Sequence, residues 1–263
     1  MPRPLITLTT DFGAADHFVA AMKGVILGLR PAAEIIDVTH AIEPYNVHEG
    51  GFVLAQAYSC FPKKTIHIAI VDPGVGSARR PLLVEAGGHF FLGPDNGVFS
   101  MVYAREPKHR VRHITQERFF RKDVSRTFHG RDIFAPCAAH LARPTPPARF
   151  GKPIQDYTRL ALAEPQRTAR RVWTGAVLKV DHFGNLITNL HIDQFPDLPT
   201  RPFELRVGLE RLRRLALTYA ETSIGEVFVI VGSSGYFEVA ANQGSAARIL
   251  GCGAGAPVEL EVF

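Results

Sequence analysis

Cysteine is scarce in this chain: three in 263 residues, Cys60, Cys137 and Cys252, far apart and odd in number. They form no CxxC pair, which argues against a disulfide framework and a thiolate zinc site and leaves buried thiols as the plain reading. Long apolar runs are missing too, since no stretch approaches the roughly 18 residues of a membrane span. The opening "MPRPLITLTTDF" is interrupted at Asp11 before a secretory apolar segment forms. The expectation is a cytoplasmic protein with no membrane partner. The 11 histidines are scattered, with no HExxH or HxH, so no metal site is expected. No GxSxG elbow is present, which disfavours a serine hydrolase of that type.

What is there is ordinary for a globular protein: 46% apolar and 21% charged residues, 30 basic against 25 acidic, for a net charge of +5. The basic runs, Arg110 to Lys122 and Arg206 to Arg214, are mixed with apolar and acidic residues. They read as solvated strand faces, and no nucleic-acid partner is expected.

The first half alternates strand and helix patterns. "LITLTT", "EIIDVTH", "TIHIAIVD", "PLLVEAGG" and "HFFLGPDNG" read as strands. Phe18, Met22, Val25, Ile26 and Leu29 fall at helical spacing, and "VHEGGFVLAQAYSCFP" and "GRDIFAPCAAHLARP" read as further helices. This alternation predicts an α/β domain with a mostly parallel, layered sheet. A proline-rich stretch from Pro144 to Arg170 reads as a linker. Beyond it, short strands separated by glycine and polar turns predict a smaller, mostly β domain. The expected domains are 1–165 and 170–263.

Three polar corners follow strands: Asp11, Asp72, and the pair Asp95 and Asn96. Carboxyl ends of strands in open α/β sheets are where ligands bind, yet Asp and Asn also serve as turn formers. The loop "VDPGVGSARR" begins like a dinucleotide fingerprint. Arg79, however, stands where the third glycine belongs, and a strand rather than a helix comes next, so that reading fails. His129 precedes a helix start in "TFHGRDIFAP", and Asp181, Phe183 and Asn185 share a turn in "KVDHFGNLITN". Each is compatible with a surface loop as well as with a site.

Together, "TLTTDFG", "VDPGVGSARR", "GPDNGVFS", "FHGRDIFAPCAAHL", "VDHFGNLITN" and "GSSGYFEVAANQGSAA" resemble, in order and across nearly the whole chain, the adenosine-forming S-adenosyl-L-methionine hydrolases. These are also called hydroxide adenosyltransferases and are relatives of the fluorinases and chlorinases. The resemblance implies an α/β domain followed by a β-barrel-like domain. It also implies a homotrimer with each active site between neighbouring subunits, and S-adenosyl-L-methionine as substrate with no further cofactor.

By motif position the resemblance makes Asp72, Arg79 and His129 the catalytic trio. The halogenating relatives carry different residues at these places, including tyrosine where this chain has Asp72, so the intact trio favours water over halide. The resemblance places Asp11 on the ribose hydroxyls. It puts Asp181 and Asn185 on the methionine ammonium or the ribose edge, Ser233 and Ser234 near the carboxylate, and Phe183 with the backbone around Asn242 at adenine. Tyr236 and Phe237 read as core.

Asp72, His129 or a water chain is left open as the proton acceptor. The lean is away from Asp72, because a neighbouring arginine keeps a carboxylate ionised and weakly basic. The competing expectations are a non-catalytic binding module for adenosine or S-adenosyl-L-methionine, a halogenase, and a metal phosphohydrolase.

Overall fold

A computed structural model describes residues 3–143 and 145–263. Met1, Pro2 and Pro144, the last being one end of the expected linker and of an expected helix, lie outside the described residues. The chain forms two compact units, Met1–Ala161 and Leu162–Phe263.

In the first unit the elements run β1 (Leu5–Thr10), α1 (Phe18–Leu29), β2 (Glu34–Thr39), α2 (Val47–Ala57), β3 (Ile66–Ile70), β4 (Pro81–Ala86), β5 (His89–Pro94), α3 (Ser100–Arg105), β6 (His109–His113), α4 (Ala135–Leu141) and β7 (Pro153–Ile154). Seven strands form one sheet in the order β2-β1-β3-β5-β4-β6-β7. The expected strands and helices are present, but the sheet is mixed, not mostly parallel. The β1–β2, β1–β3 and β3–β5 pairs are parallel, while β4–β5, β4–β6 and β6–β7 are antiparallel. The cause is the two-residue turn Gly87-Gly88, both at positive φ (56° and 81°). Such a turn matches strand twist and folds its flanking strands into a hairpin, so β4 inserts antiparallel beside β5.

β1 and β3 are fully or almost fully buried runs, with only Leu5 partly exposed, as strands covered on both faces must be. One face packs Ile6, Leu8, Ile66, Ile68 and Ile70 against Met22 and Ile26 of α1 and Ala135, Ala138 and Ala139 of α4. The other holds Leu82, Val84, Phe91 and Phe99. Part of the stretch read as linker belongs here, since β7 pairs with β6 and Tyr157 is buried.

The second unit is strand-rich: β8 (Gln166–Ala169), β9 (Val172–Val180), β10 (Leu186–His191), β11 (Phe203–Val207), β12 (Glu210–Leu212), β13 (Leu215–Ala216), β14 (Val227–Val231), β15 (Tyr236–Ala241), the short helix α5 (Ala246–Leu250) and β16 (Pro257–Val262). Eight of its strands run β12-β11-β16-β9-β10-β15-β14-β13, with β8 added on β9. The sheet curls as a half-barrel over one core, in which Leu186, Phe203, Leu205, Val229, Phe237, Val239 and Leu260 meet. Phe237 is core as expected, whereas Tyr236 is only partly buried. The thiols divide: Cys137 is buried, Cys252 is partly exposed, and Cys60 is exposed rather than buried. The second basic run is more than a solvated face, because Arg206, Arg211 and Arg213 converge on the buried carboxylate of Glu204. No helix among the described residues is long and apolar enough to cross a membrane.

Candidate active site

Two neighbouring parallel strands set up the site in the first unit. Thr10 is in register with Ile70, so Asp11 and Asp72 leave the sheet side by side at its carboxyl edge. The loop after β3 then folds tightly: Asp72 O accepts from Val75 N at 3.2 Å, and Gly74 O accepts from Ser77 N at 3.1 Å. Gly76 makes the turn possible. Its φ is +77°, and a Cβ there would stand 2.2 Å from the Arg126 carbonyl oxygen. The turn brings Arg79 back over Asp72.

Arg79 donates Nε–H to Asp72 Oδ1 at 3.1 Å and its Nη2 to Asp72 Oδ2. Nη2 also reaches His129 Nδ1 at 2.7 Å. Both partners of the ion pair are buried, with side-chain exposures of 8% and 5%. A planar guanidinium gripping a carboxylate through two donors is a strong, directional pairing. His129 enters just before a single π-helical turn, Gly130–Phe134, a local irregularity frequent at functional sites. The trio residues, 50 positions apart at the extremes of the Arg79–His129 contact, are thus in direct contact.

The polarity of these bonds fixes protonation. Arginine only donates, so Nδ1 of His129 accepts and its neutral ring carries the proton on Nε2. Burial and the positive Arg79 lower the His129 pKa below its ordinary value of 6.5, outweighing Asp72 and Asp132. With Nδ1 engaged and Nε2 protonated, His129 presents a donor to the cavity. The lean toward His129 as proton acceptor therefore has no free lone pair to rest on in this arrangement.

Asp11, Asp72 and His129 line one cavity of about 320 Å³ together with Phe12, Phe18, Tyr45 and Phe128. Asp11 accepts from the Tyr45 backbone N–H at 2.9 Å through Oδ2. The third polar corner is structural. Asp95 accepts from Arg80 Nε at 2.8 Å and from Thr158 N at 2.7 Å. Asn96 donates to the Val71 carbonyl at 2.8 Å and so steadies the strand end ahead of Asp72.

The second unit has its own cavity of about 560 Å³, lined by Phe183, Asn185, Tyr219, Ala241, Asn242, Gln243, Gly244 and Arg248. Asp181 organises its turn by accepting from Phe183 N at 2.9 Å and from Asn185 N and Nδ2 at 2.8 Å. Asn185 Nδ2 also meets the Tyr219 hydroxyl at 3.1 Å, while its buried Oδ1 has no partner among the described residues. Phe183 presents its ring outward, 74% exposed. Asn242 donates Nδ2 to Thr222 O at 2.7 Å.

Ser233 and Ser234 sit in the β14–β15 turn and are not in the cavity lining. Half-buried Glu238 has a raised pKa, from burial and the nearby Asp181 charge. Sequence reasoning missed Tyr45 and Tyr219, lone tyrosines in turns with no pattern to mark them. No group of three or more His, Cys, Asp or Glu side chains is placed to hold a metal ion among the described residues.

The first unit thus has the layout of an α/β protein with a ligand cleft at the carboxyl ends of parallel strands, furnished with a carboxylate, a guanidinium and an imidazole in contact. Comparison with known proteins specifies it further. Residues 6–151 match the SAM hydroxide adenosyltransferase N-terminal domain, and residues 175–259 match the SAM hydroxide adenosyltransferase C-terminal domain. The chain is 42% identical over 252 residues to the (R)-S-adenosyl-L-methionine hydrolase of Salinispora tropica, covering 95% of each protein. It is 25% identical over 292 residues to the fluorinase of Nocardia brasiliensis, covering 99% of this chain and 97% of that one. A crystal structure of a conserved protein from Thermotoga maritima superposes with a TM-score of 0.91 at 36% identity, covering 97% and 99% of the two chains. The chain belongs to the SAM hydroxide adenosyltransferase family, as its six motifs suggested.

Proposed function

We infer that the protein is an enzyme that hydrolyses S-adenosyl-L-methionine to adenosine and L-methionine, by attack of water or hydroxide on the ribose C5′. The observation that carries this reading is the contact of Arg79 with both Asp72 and His129, which line a cavity shared with Asp11. The 42% identity to a protein named for this activity supports it.

The chemistry asks little acid–base work. The leaving group is a neutral thioether departing from a sulfonium, so no general acid is required. The enzyme must hold one oxygen in line with the C5′–S bond, and such orientation contributes up to about 7–11 kcal/mol in favourable cases. Each Asp72 oxygen already accepts from Arg79 but keeps a second lone pair, which takes one O–H of the nucleophilic water. His129 Nε2–H meets one water lone pair and leaves the other facing C5′. The proton departs toward Asp72 and solvent as the new C–O bond forms. Arg79 holds both partners in place. A fixed carboxylate at this place disfavours a halide, so the hydrolase reading is preferred over halogenation.

In this reading Asp11 takes the ribose hydroxyls. Phe183 and the backbone around Asn242 receive adenine, Asp181 and Asn185 receive the methionine ammonium or the ribose edge, and Ser233 and Ser234 receive the carboxylate. S-adenosyl-L-methionine is the substrate and no further cofactor enters. Each cavity serves as half of a site completed by another copy of the chain in a homotrimer, in agreement with exposed apolar side chains at Tyr45 and Phe183. Three free thiols fit a reducing, cytoplasmic setting.

The test is chromatography of the purified protein incubated with S-adenosyl-L-methionine, with and without chloride. Adenosine and methionine in equal amounts, unaffected by chloride and lost in Asp72→Ala, is the expected result. A 5′-chloro product, or substrate recovered bound and intact, overturns the reading in favour of a halogenase or a binding module.

A further inference from the structure

A second line of polar contacts in the first unit ends on the backbone just after Asp11, at Phe12 and Gly13, and the proposed reaction does not use it. Its origin is a register shift. Leu8 of β1 pairs with Asp37 of β2, but Thr9 pairs with Thr39. The extra residue, Val38, makes a bulge that re-aims the end of the strand, as bulges beside functional sites do. It leaves Thr10 and His40 side by side at the carboxyl edge of the sheet. Thr10 is fully buried, and its Oγ1 lies 2.8 Å from His40 Nδ1. His40 Nε2 lies 3.0 Å from Asp37 Oδ1, and Asp37 Oδ2 accepts from Lys23 Nζ at 2.6 Å.

The charged end of the line sets its polarity. Burial works against the Asp37 carboxylate, but Lys23 and His40 outweigh it and hold Asp37 below its ordinary range. Asp37 Oδ1 approaches Nε2 as an ion-pair contact without hydrogen-bond geometry, and its negative charge favours the Nε2–H tautomer, in which Nδ1 accepts from the Thr10 hydroxyl. The Thr10 oxygen in turn accepts from Phe12 N–H at 3.2 Å. The His40 carbonyl accepts from Gly13 N–H at 2.8 Å. Both residues after Asp11 are therefore tied to His40, one through its ring and one through its backbone. Asp11 itself spends Oδ2 on Tyr45 N–H, so its remaining binding capacity faces the cavity only while the turn holds its shape.

We propose that His40 is a positioning residue for Asp11, holding the 10–13 turn so that the Asp11 carboxylate meets the substrate's ribose hydroxyls. This rests on the hydrolase reading above. Lys23 and Asp37 orient the imidazole, and Thr10 transmits its position.

The experiment is a double-mutant cycle on S-adenosyl-L-methionine hydrolysis with wild type, His40→Leu, Asp11→Ala and the double variant, each checked for an unchanged melting profile. His40→Leu is expected to raise KM about tenfold, the scale of one net hydrogen bond, with kcat within about twofold. His40→Asn, whose Oδ1 can stand where Nδ1 does, should recover most of the loss. In the Asp11→Ala background His40→Leu should add almost nothing, because the two act as one unit. Equal penalties in both backgrounds, or an unchanged KM, overturn the proposal. If His40→Leu fails to fold, Thr10→Val with Thr10→Ser as its hydroxyl-bearing control replaces it in the cycle. Wild type inert toward S-adenosyl-L-methionine overturns the functional reading itself and is told apart by that first measurement.

Discussion

Arg79 is the residue on which the trio turns. It is the common donor to Asp72 and His129, and its Nη1 is buried without a partner among the described residues. The arrangement requires a neutral His129, because a protonated ring has no lone pair to offer Arg79. This requirement sets the sign of the pH dependence. The folded pKa lies below 6.5, lowered first by burial and then by Arg79. Above 6.5 the contact is complete, and it is lost as pH falls through the lowered value. The same group binds its proton more readily when unfolded, so its contribution to stability is full above 6.5 and declines below. We expect kcat/KM for S-adenosyl-L-methionine to be flat from about pH 7 to about pH 9 and to fall on the acid side, with the midpoint below 6.5. A pH–rate profile rising through a midpoint above pH 7 contradicts this account.

At the scale of the element, the loop between β3 and β4 converts a strand end into a site. Gly74 and Gly76 look alike in "DPGVG" but differ in what surrounds them. A Cβ on Gly74 would meet Ser77 Oγ at 3.4 Å, an ordinary contact, whereas one on Gly76 would collide with the Arg126 carbonyl at 2.2 Å from a backbone at φ +77°. Gly76→Ala must move either its own loop or the segment leading to His129, and strain of this kind costs about 1–3 kcal/mol. The expected outcome is a fall of at least roughly tenfold in kcat/KM together with a lower melting temperature, and a distinctly smaller effect for Gly74→Ala. Parallel kinetics and thermal melts of the two variants check it. Equal effects would mean that the loop tolerates displacement and that the trio does not depend on this turn.

For the whole molecule, the proposed trimer has the broadest consequence. Each unit carries a cavity whose lining includes a large exposed ring, Tyr45 at 73% and Phe183 at 74%. Single exposed apolar residues are common, but rings at the mouths of two separate cavities fit surfaces that another copy covers. A head-to-tail contact that closes into a ring would join unlike surfaces in this way. Light scattering of the eluting protein should give about three times the 28.9 kDa chain mass. A monomer that retains full hydrolysis would remove the shared-site proposal and leave the trio chemistry standing.

Much of this was legible in the residues themselves. Apolar runs ending in Asp11 and Asp72 marked buried strands with polar corners, whereas the hairpin turn at Gly87-Gly88 that makes the sheet mixed was passed over in the expectation of a mostly parallel sheet. Six motifs in order pointed to the family, because backbone turns and ligand contacts impose residue types locally. What only the tertiary structure decided is which groups meet and in which direction their bonds run. His129 is 50 residues from Arg79 and His40 is 30 from Thr10, separations at which no local periodicity operates. Strand register brought Asp11 beside Asp72, and a one-residue bulge set His40 against Thr10. Arginine's inability to accept a hydrogen bond then fixed the His129 proton on Nε2, a consequence of contact geometry that composition and spacing do not contain.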